Sequence, residues 1–316
     1  MGAILAHARR RRGPAGSPSE TRSFWGLAGR RASGNTLAVT DSVVEEGEPG
    51  GPPPNTTLMM LEWRAMSVRE LHALQNGFMG FERSGLFYGE RSSERVQIPI
   101  ACWLIRTSDA VVLFDTGLSP RAVPGLMRND PMARFTEDDL LVHRLDALGL
   151  EPDGVDLVVI SHLHYDHAGG AQLFPKSELI VQKDEYAYAQ YPASFFESFY
   201  YRKNFDLPGY RWRLLDGDTE LLPGVTALRT DGHTPGHQSL LVELPETGPV
   251  ILAADSCYWL EHADKERVPG VVWNPTQALH SIKRLKTLAR LTGGRIFPGH
   301  DPSFWETVKQ SPDAYR

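Results

Sequence analysis

From about residue 58 onward, short apolar runs alternate with polar, glycine-flanked loops, and no single helical or strand period dominates. Pro99-Ile100-Ala101-Cys102-Trp103-Leu104-Ile105 predicts a buried strand. Ala110 to Phe114 predicts a second, with Thr107-Ser108-Asp109 as the hairpin turn between them. A helix follows. Thr136 and Asp139 stand three apart as in a capping box, Leu140, Leu141, Leu145 and Leu148 form its apolar stripe, and Gly149 stops it. Val155 to Ile160 and Glu178 to Val181 read as short strands, the second leading into a helix from Lys183. Gly224 to Leu228 and Gln238 to Leu244 predict an antiparallel pair, and Val250 to Ala253 a buried strand ending near Asp255. Pro275 opens a long helix with Ala278, Ile282, Leu285, Leu288 and Ala289 on one face and Gly293-Gly294 at its end. Arg295 to Phe297 is a last strand. Hairpins mixed with helices predict an α/β fold of two sheets covered by helices, with the chemistry on the loops at strand ends.

The first 57 residues have a different character. They are rich in Arg, Gly, Ser and Pro and close on Glu45 to Pro54, a composition that cannot bury enough apolar surface to offset its ordering entropy. They read as a disordered extension, or as a stretch left untranslated, with Met59, Met60 and Met66 as alternative starts. Residues 58–316 read as the catalytic domain. The apolar run Met1 to Ala6 precedes Arg9 to Arg12, the reverse of a secretory signal. The Arg-rich segment to about Ala32 loosely resembles a transit peptide.

Composition narrows the function. A net charge of −6 gives no footprint for nucleic acid. Cys102 and Cys257, the two cysteines, are far apart and offer neither a disulfide framework nor a thiolate zinc site. No apolar run reaches membrane-spanning length, and a cytoplasmic location is expected.

The chemistry centres on Ser161-His162-Leu163-His164-Tyr165-Asp166-His167-Ala168-Gly169-Gly170, directly after a predicted strand. Imidazole and carboxylate are the usual nitrogen and oxygen ligands of zinc. His162 and His164 alternate, so a loop can aim both rings at one ion, and Asp166 and His167 begin the next turn and can face a second. Gly169 and Gly170 let the backbone pass close by. His233 and His237 in Gly232-His233-Thr234-Pro235-Gly236-His237, Asp255, and His300 in Pro298-Gly299-His300-Asp301 are further candidates at later strand ends. Singly each is weak; four such loops in one chain point to a shared site.

These segments resemble the metallo-β-lactamase superfamily, and within it the N-acyl homoserine lactonases that degrade quorum-sensing signals. The match runs from about Ile98 almost to His300. It includes Phe114-Asp115-Thr116-Gly117, Thr136-Glu137-Asp138-Asp139, Ser161 to Gly170, Gly232 to Leu240, Asp255 with Tyr258, Ser281 to Lys286, and Gly299-His300-Asp301. The resemblance implies an αββα sandwich with two zinc ions between the sheets. It implies that His162, His164 and His233 bind the first ion, that Asp166, His167 and His300 bind the second, and that Asp255 bridges both together with a hydroxide. Tyr258 is then expected to stabilise the oxyanion, and Asp166 to pass a proton to the leaving oxygen. His237 matches a position that is not usually a ligand. Asp115 and Asp301 are candidates for orienting ligand histidines. Phe78, Met79, Phe81, Leu86, Phe87 and Tyr88 are expected in the loop at the start of the domain, where they form a candidate apolar pocket, although each taken singly reads as core. Leu118 to Arg134 differs in length and content from the lactonases, and Leu126 and Met127 are its nearest apolar candidates for an acyl chain.

The expected partner is a small-molecule lactone, with no nucleic acid and no membrane; the sequence leaves monomer and homodimer open. The alternatives on the same fold are another lactone, ester or thioester hydrolase of pyridoxolactonase or glyoxalase II type, and from a different class a non-catalytic metal-binding protein. A glyoxalase II would carry a C-terminal helical region, whereas this chain ends 16 residues after His300.

Overall fold

The computed structural model describes residues 68–316, so the expectations for residues 1–57 and for the boundary at 58 lie outside the described residues. The strands are β1 (Val68–Glu82), β2 (Arg95–Thr107), β3 (Val111–Phe114), β4 (Leu157–Val159), β5 (Glu178–Gln182), β6 (Arg211–Leu215), β7 (Thr219–Leu222), β8 (Val225–Arg229), β9 (Gln238–Leu244), β10 (Gly248–Ala254) and β11 (Arg295–Pro298). The α-helices are α1 (Arg83–Leu86), α2 (Val123–Asn129), α3 (Leu141–Asp146), α4 (Lys183–Gln190), α5 (Leu260–Lys265), α6 (Pro275–Thr292) and α7 (Pro302–Trp305). Strands β1 to β6 form one sheet in sequence order, and the second runs β11-β10-β9-β8-β7. Both are mixed. In the first, β1-β2-β3 are antiparallel and β3-β4-β5-β6 parallel; in the second, only the β10-β11 pair is parallel.

Strand alternation assigns the layers. Trp103 and Ile105, Val112 and Phe114, and Ile180 join Val225, Leu240, Val242, Val250 and Leu252 in one core between the sheets. Their neighbours Leu104, Leu113, Leu179 and Val181 turn outward to Leu141, Leu145 and Phe174. On the other side, Ile251 and Ala253 of β10 meet Ile282 and Leu285 of α6. Side chains that alternate between two buried faces produce the near-continuous apolar runs seen in the sequence. Each fully buried leucine or isoleucine here contributes about 1.5–3 kcal/mol. The result is the expected αββα sandwich.

Two expectations change in detail. The capping box at Thr136 and Asp139 is present, but it closes a single 3₁₀ turn; Leu140 is extended, and the α-helix starts at Leu141. The segment expected as a loop, which carries Phe78 to Tyr88, begins inside β1, a 15-residue strand paired along β2, and only afterwards enters the short α1. Among the described residues, no helix is long and apolar enough to cross a membrane.

Candidate metal centre and catalytic site

The C-terminal ends of β3, β4, β8, β10 and β11 converge, and the loop after each carries a candidate residue: Asp115, the His162–His167 segment, His233, Asp255 and His300. Close passage of these loops demands small residues. A Cβ on Gly170 would lie 2.5 Å from the Thr116 carbonyl oxygen, and one on Gly169 would collide with the Ser119 amide and the Gly117 carbonyl. Two non-glycine residues at the site take left-handed backbone, Asp115 (φ 61°) and Ala254 (φ 45°), directly before Thr116 and Asp255. Such conformations persist only where the surroundings over-determine them, and they cluster at functional sites.

All seven expected ligand residues are buried and come together. The candidate ligand atoms of His162, His164, His233 and Asp255 lie within 4.8 Å of one another, and so do those of Asp166, His167 and His300. Asp255 stands between the groups. Its Oδ2 is 3.2 Å from His233 Nε2 and 3.7 Å from His162 Nε2. Its Oδ1 is 3.1 Å from both His167 Nε2 and His300 Nε2. Asp166 Oδ2 lies 3.7 and 3.8 Å from those same two nitrogens.

The outer nitrogens show which way the lone pairs point. His233 Nδ1 lies 2.7 Å from the Val271 carbonyl and His300 Nδ1 lies 2.8 Å from the Pro99 carbonyl. A carbonyl only accepts, so each Nδ1 carries a proton, and in the neutral ring each Nε2 is a bare lone pair facing inward. His167 Nδ1 donates to Asp115 Oδ2 at 2.8 Å. The Ser161 hydroxyl donates to the same carboxylate, also at 2.8 Å, which leaves its oxygen to accept from His162 Nδ1 at 3.0 Å. Ring nitrogens therefore crowd one point: His233 Nε2 is 3.1 Å from both His162 Nε2, where lone pair meets lone pair, and His164 Nδ1. His164 Nε2, His167 Nε2 and Asp255 Oδ1 are buried with no hydrogen-bond partner. Convergent lone pairs and buried carboxylates, with no Lys or Arg among the cavity-lining residues, are the donor set of a cation site.

The electrostatics divide the histidines into two sets. Burial, reinforced by neighbouring imidazoles, holds His162 and His164 far below the ordinary histidine range, as neutral ligands require. Burial also opposes charge on His167 and His300, but the carboxylates around them, Asp255 foremost, push both upward. Burial disfavours the Asp255 anion, yet the four imidazoles at His167, His300, His233 and His162 keep it ionised.

A narrow cavity of about 20 Å³, room for roughly one water molecule, adjoins these groups. His164, Asp166, His233, Asp255 and His300 line it together with Tyr258, Tyr165, Phe199 and Val271. Of the expected apolar pocket, Met79, Phe81 and Leu86 reach this cavity. Phe78 packs toward the inter-sheet core, Phe87 is buried between Trp259 and His262, and Tyr88 is exposed. His237 is not in either ligand group: its Nε2 accepts the Asp255 amide at 3.1 Å, and burial lowers its pKa to about 3. Asp301 does not touch a ligand histidine; it caps α7 and accepts from the Leu260 amide. One support carried no sequence signal as such. Glu185 on α4, fully buried, accepts from the amides of Leu163 and Gly236 and from the Tyr200 hydroxyl, tying two ligand loops together. Burial raises its pKa above the usual glutamate value.

The model of the metallo-beta-lactamase superfamily matches residues 96–300. The chain belongs to that superfamily. Within it, the chain belongs with the N-acyl homoserine lactonases. It is 34% identical to N-acyl homoserine lactonase AttM of Azorhizobium caulinodans over 262 residues, 79% of this chain and 100% of that one. It is 37% identical to an N-acyl homoserine lactonase of a Bacillus species over 243 residues, 75% of this chain and 94% of that one. A crystal structure of a quorum-quenching N-acyl homoserine lactone lactonase superposes with a TM-score of 0.72 at 33% identity, covering 79% of this chain and 99% of its own. Another, with the same TM-score and identity, holds the product N-hexanoyl-L-homoserine at its catalytic metal centre.

Asp115 offers a first test. Its carboxylate receives the Ser161 amide at 2.7 Å, the Ser161 hydroxyl and His167 Nδ1. Asp115→Asn is expected to lower metal affinity by about 10–100-fold, the usual cost of losing a partner that orients a ligand. Competition with a chromophoric chelator measures this, and unchanged affinity would reduce Asp115 to a turn residue.

Proposed function

We propose that the protein is a metal-dependent hydrolase that opens the ring of N-acyl homoserine lactones, using two zinc ions. The observation that carries this reading is the set of ring nitrogens of His162, His167, His233 and His300 aimed inward around the Asp255 carboxylate, each ring fixed by an outward hydrogen bond. The lactonase relatives support the substrate class. His162, His164 and His233 would hold one ion and Asp166, His167 and His300 the other, with one oxygen of Asp255 toward each group. Ions bound there would supply Lewis acidity and lower the pKa of bound water to about 7.

The chain's own residues do the rest. Burial, with the charges of Asp255 and Asp166, keeps the Tyr258 hydroxyl protonated, so it is a hydrogen-bond donor at the cavity wall. There it steadies the carbonyl oxygen as negative charge develops. Water adds to the carbonyl carbon and gives up a proton to Asp166, the bond from that carbon to the ring oxygen breaks, and Asp166 passes that proton to the departing oxygen, leaving a hydroxyl and a carboxylic acid. Met79, Phe81, Leu86 and Phe199 keep bulk water from the reacting centre.

The acid product ionises at neutral pH, so turnover releases protons. The zinc-replete protein is expected to acidify weakly buffered solutions of N-acyl homoserine lactones of short and long chain, and a chelator is expected to abolish the effect. A protein shown to hold two metals that releases no acid from any of them would overturn the lactone assignment.

A further inference from the structure

Beside the cavity at the candidate metal centre lies a wider groove of about 630 Å³, within the range of small-molecule sites. The two share Tyr165 and Phe199 as walls, and Tyr201, which stacks on Tyr165 with 5.4 Å between ring centroids, borders the groove. The far wall is α2 with the turn before it, including Leu126, Arg121 and Arg128. Met127, expected beside Leu126 at the acyl chain, is exposed and is not part of this wall.

Two cations stand on this wall. Arg121 and Arg128 are exposed, and among the described residues neither guanidinium has a hydrogen bond, an ion pair or a ring contact. Elsewhere Arg95, Arg144, Arg229, Arg267 and Arg284 each pair with a carboxylate, and of the arginines without such a pair, Arg121 and Arg128 are the two that line this groove. No acidic residue lines the groove, although the chain as a whole carries a net charge of −6. Two uncompensated cations on an otherwise apolar and aromatic trough, next to the reacting centre, match a ligand with an apolar stem and an anionic end.

We infer that this groove selects lactones whose acyl chain ends in an anionic group, a carboxylate above all. This rests on the lactonase reading. The ring reacts at the metal centre, the chain passes Tyr165 and Phe199, and its terminal carboxylate lies between Arg121 and Arg128, whose planar forks bind carboxylates well.

The test compares hexanoyl with hexanedioyl homoserine lactone, and decanoyl with decanedioyl, on the full zinc-replete chain. The carboxylated member of at least one pair is expected to show kcat/KM about fivefold or more above its neutral counterpart, the scale of solvent-exposed ion pairs. That ratio is expected to fall at high salt and to collapse to about one in the Arg121→Gln/Arg128→Gln double variant. A ratio at or below one for both lengths overturns the inference and leaves the lactonase reading standing, as does a preference that survives the double variant. Hydrolysis of none of the four overturns both.

Discussion

Asp255→Ala is expected to remove activity toward N-acyl homoserine lactones and most of the bound metal together. The reason is geometric. Four imidazole nitrogens, from His162, His167, His233 and His300, lie 3.1–3.7 Å from its two oxygens, and among the described residues no other carboxylate pairs with histidines of both groups. The loss should exceed the roughly 10–100-fold that follows removal of a residue merely orienting a ligand. Metal counting on the purified variant, alongside kcat/KM, separates the possibilities. Lost metal with lost activity fits the shared carboxylate. Full activity in the alanine variant would sink the two-metal reading. Asp255→Asn sharpens the comparison, because it keeps the shape and removes the charge that neutralises the cations.

How such a site could be read from the sequence depends on where each signal resides. The ligands are residue types at distinctive spacing, so His162 to His167, His233, Asp255 and His300 stood out. Their orientation did not. His233 and His300 are aimed by the carbonyls of Val271 and Pro99, backbone groups that every residue possesses. Glu185 was equally hidden, since a glutamate on a helix normally faces water, and only the fold reveals that it accepts two loop amides. Among the strands, β10 and β9 were legible as apolar runs. The longest, β1, was not: it contains Asn76, Gly77 and Gly80, its pairing with β2 shifts register between Gln75 and Phe78, and its burial comes from its neighbours. The groove beside α2 was hidden for a similar reason. Arg121 and Arg128 are ordinary surface arginines in sequence, and only the folded chain shows that no carboxylate accompanies them.

Tyr258→Phe is expected to lower kcat by about 10²–10³, the cost of deleting one hydrogen-bond donor to a developing oxyanion. Metal content should stay at the wild-type level, in contrast to Asp255→Ala. The phenyl ring retains the packing: Tyr258 sits 5.7 Å from the rings of His233 and His262 and 5.5 Å from that of His300. What disappears is the hydroxyl, whose neighbours in the fold are His233 Nδ1 at 3.3 Å and the Val271 carbonyl at 3.5 Å. His233 Nδ1 already donates to that carbonyl at 2.7 Å, so the tyrosine is not needed to set the tautomer, and its long contacts leave the proton free for a substrate. A group that acts only as charge develops should change kcat far more than KM. Equal losses in binding and turnover would instead mark Tyr258 as a wall of the cavity, and a kcat within about twofold of wild type would assign it to packing alone.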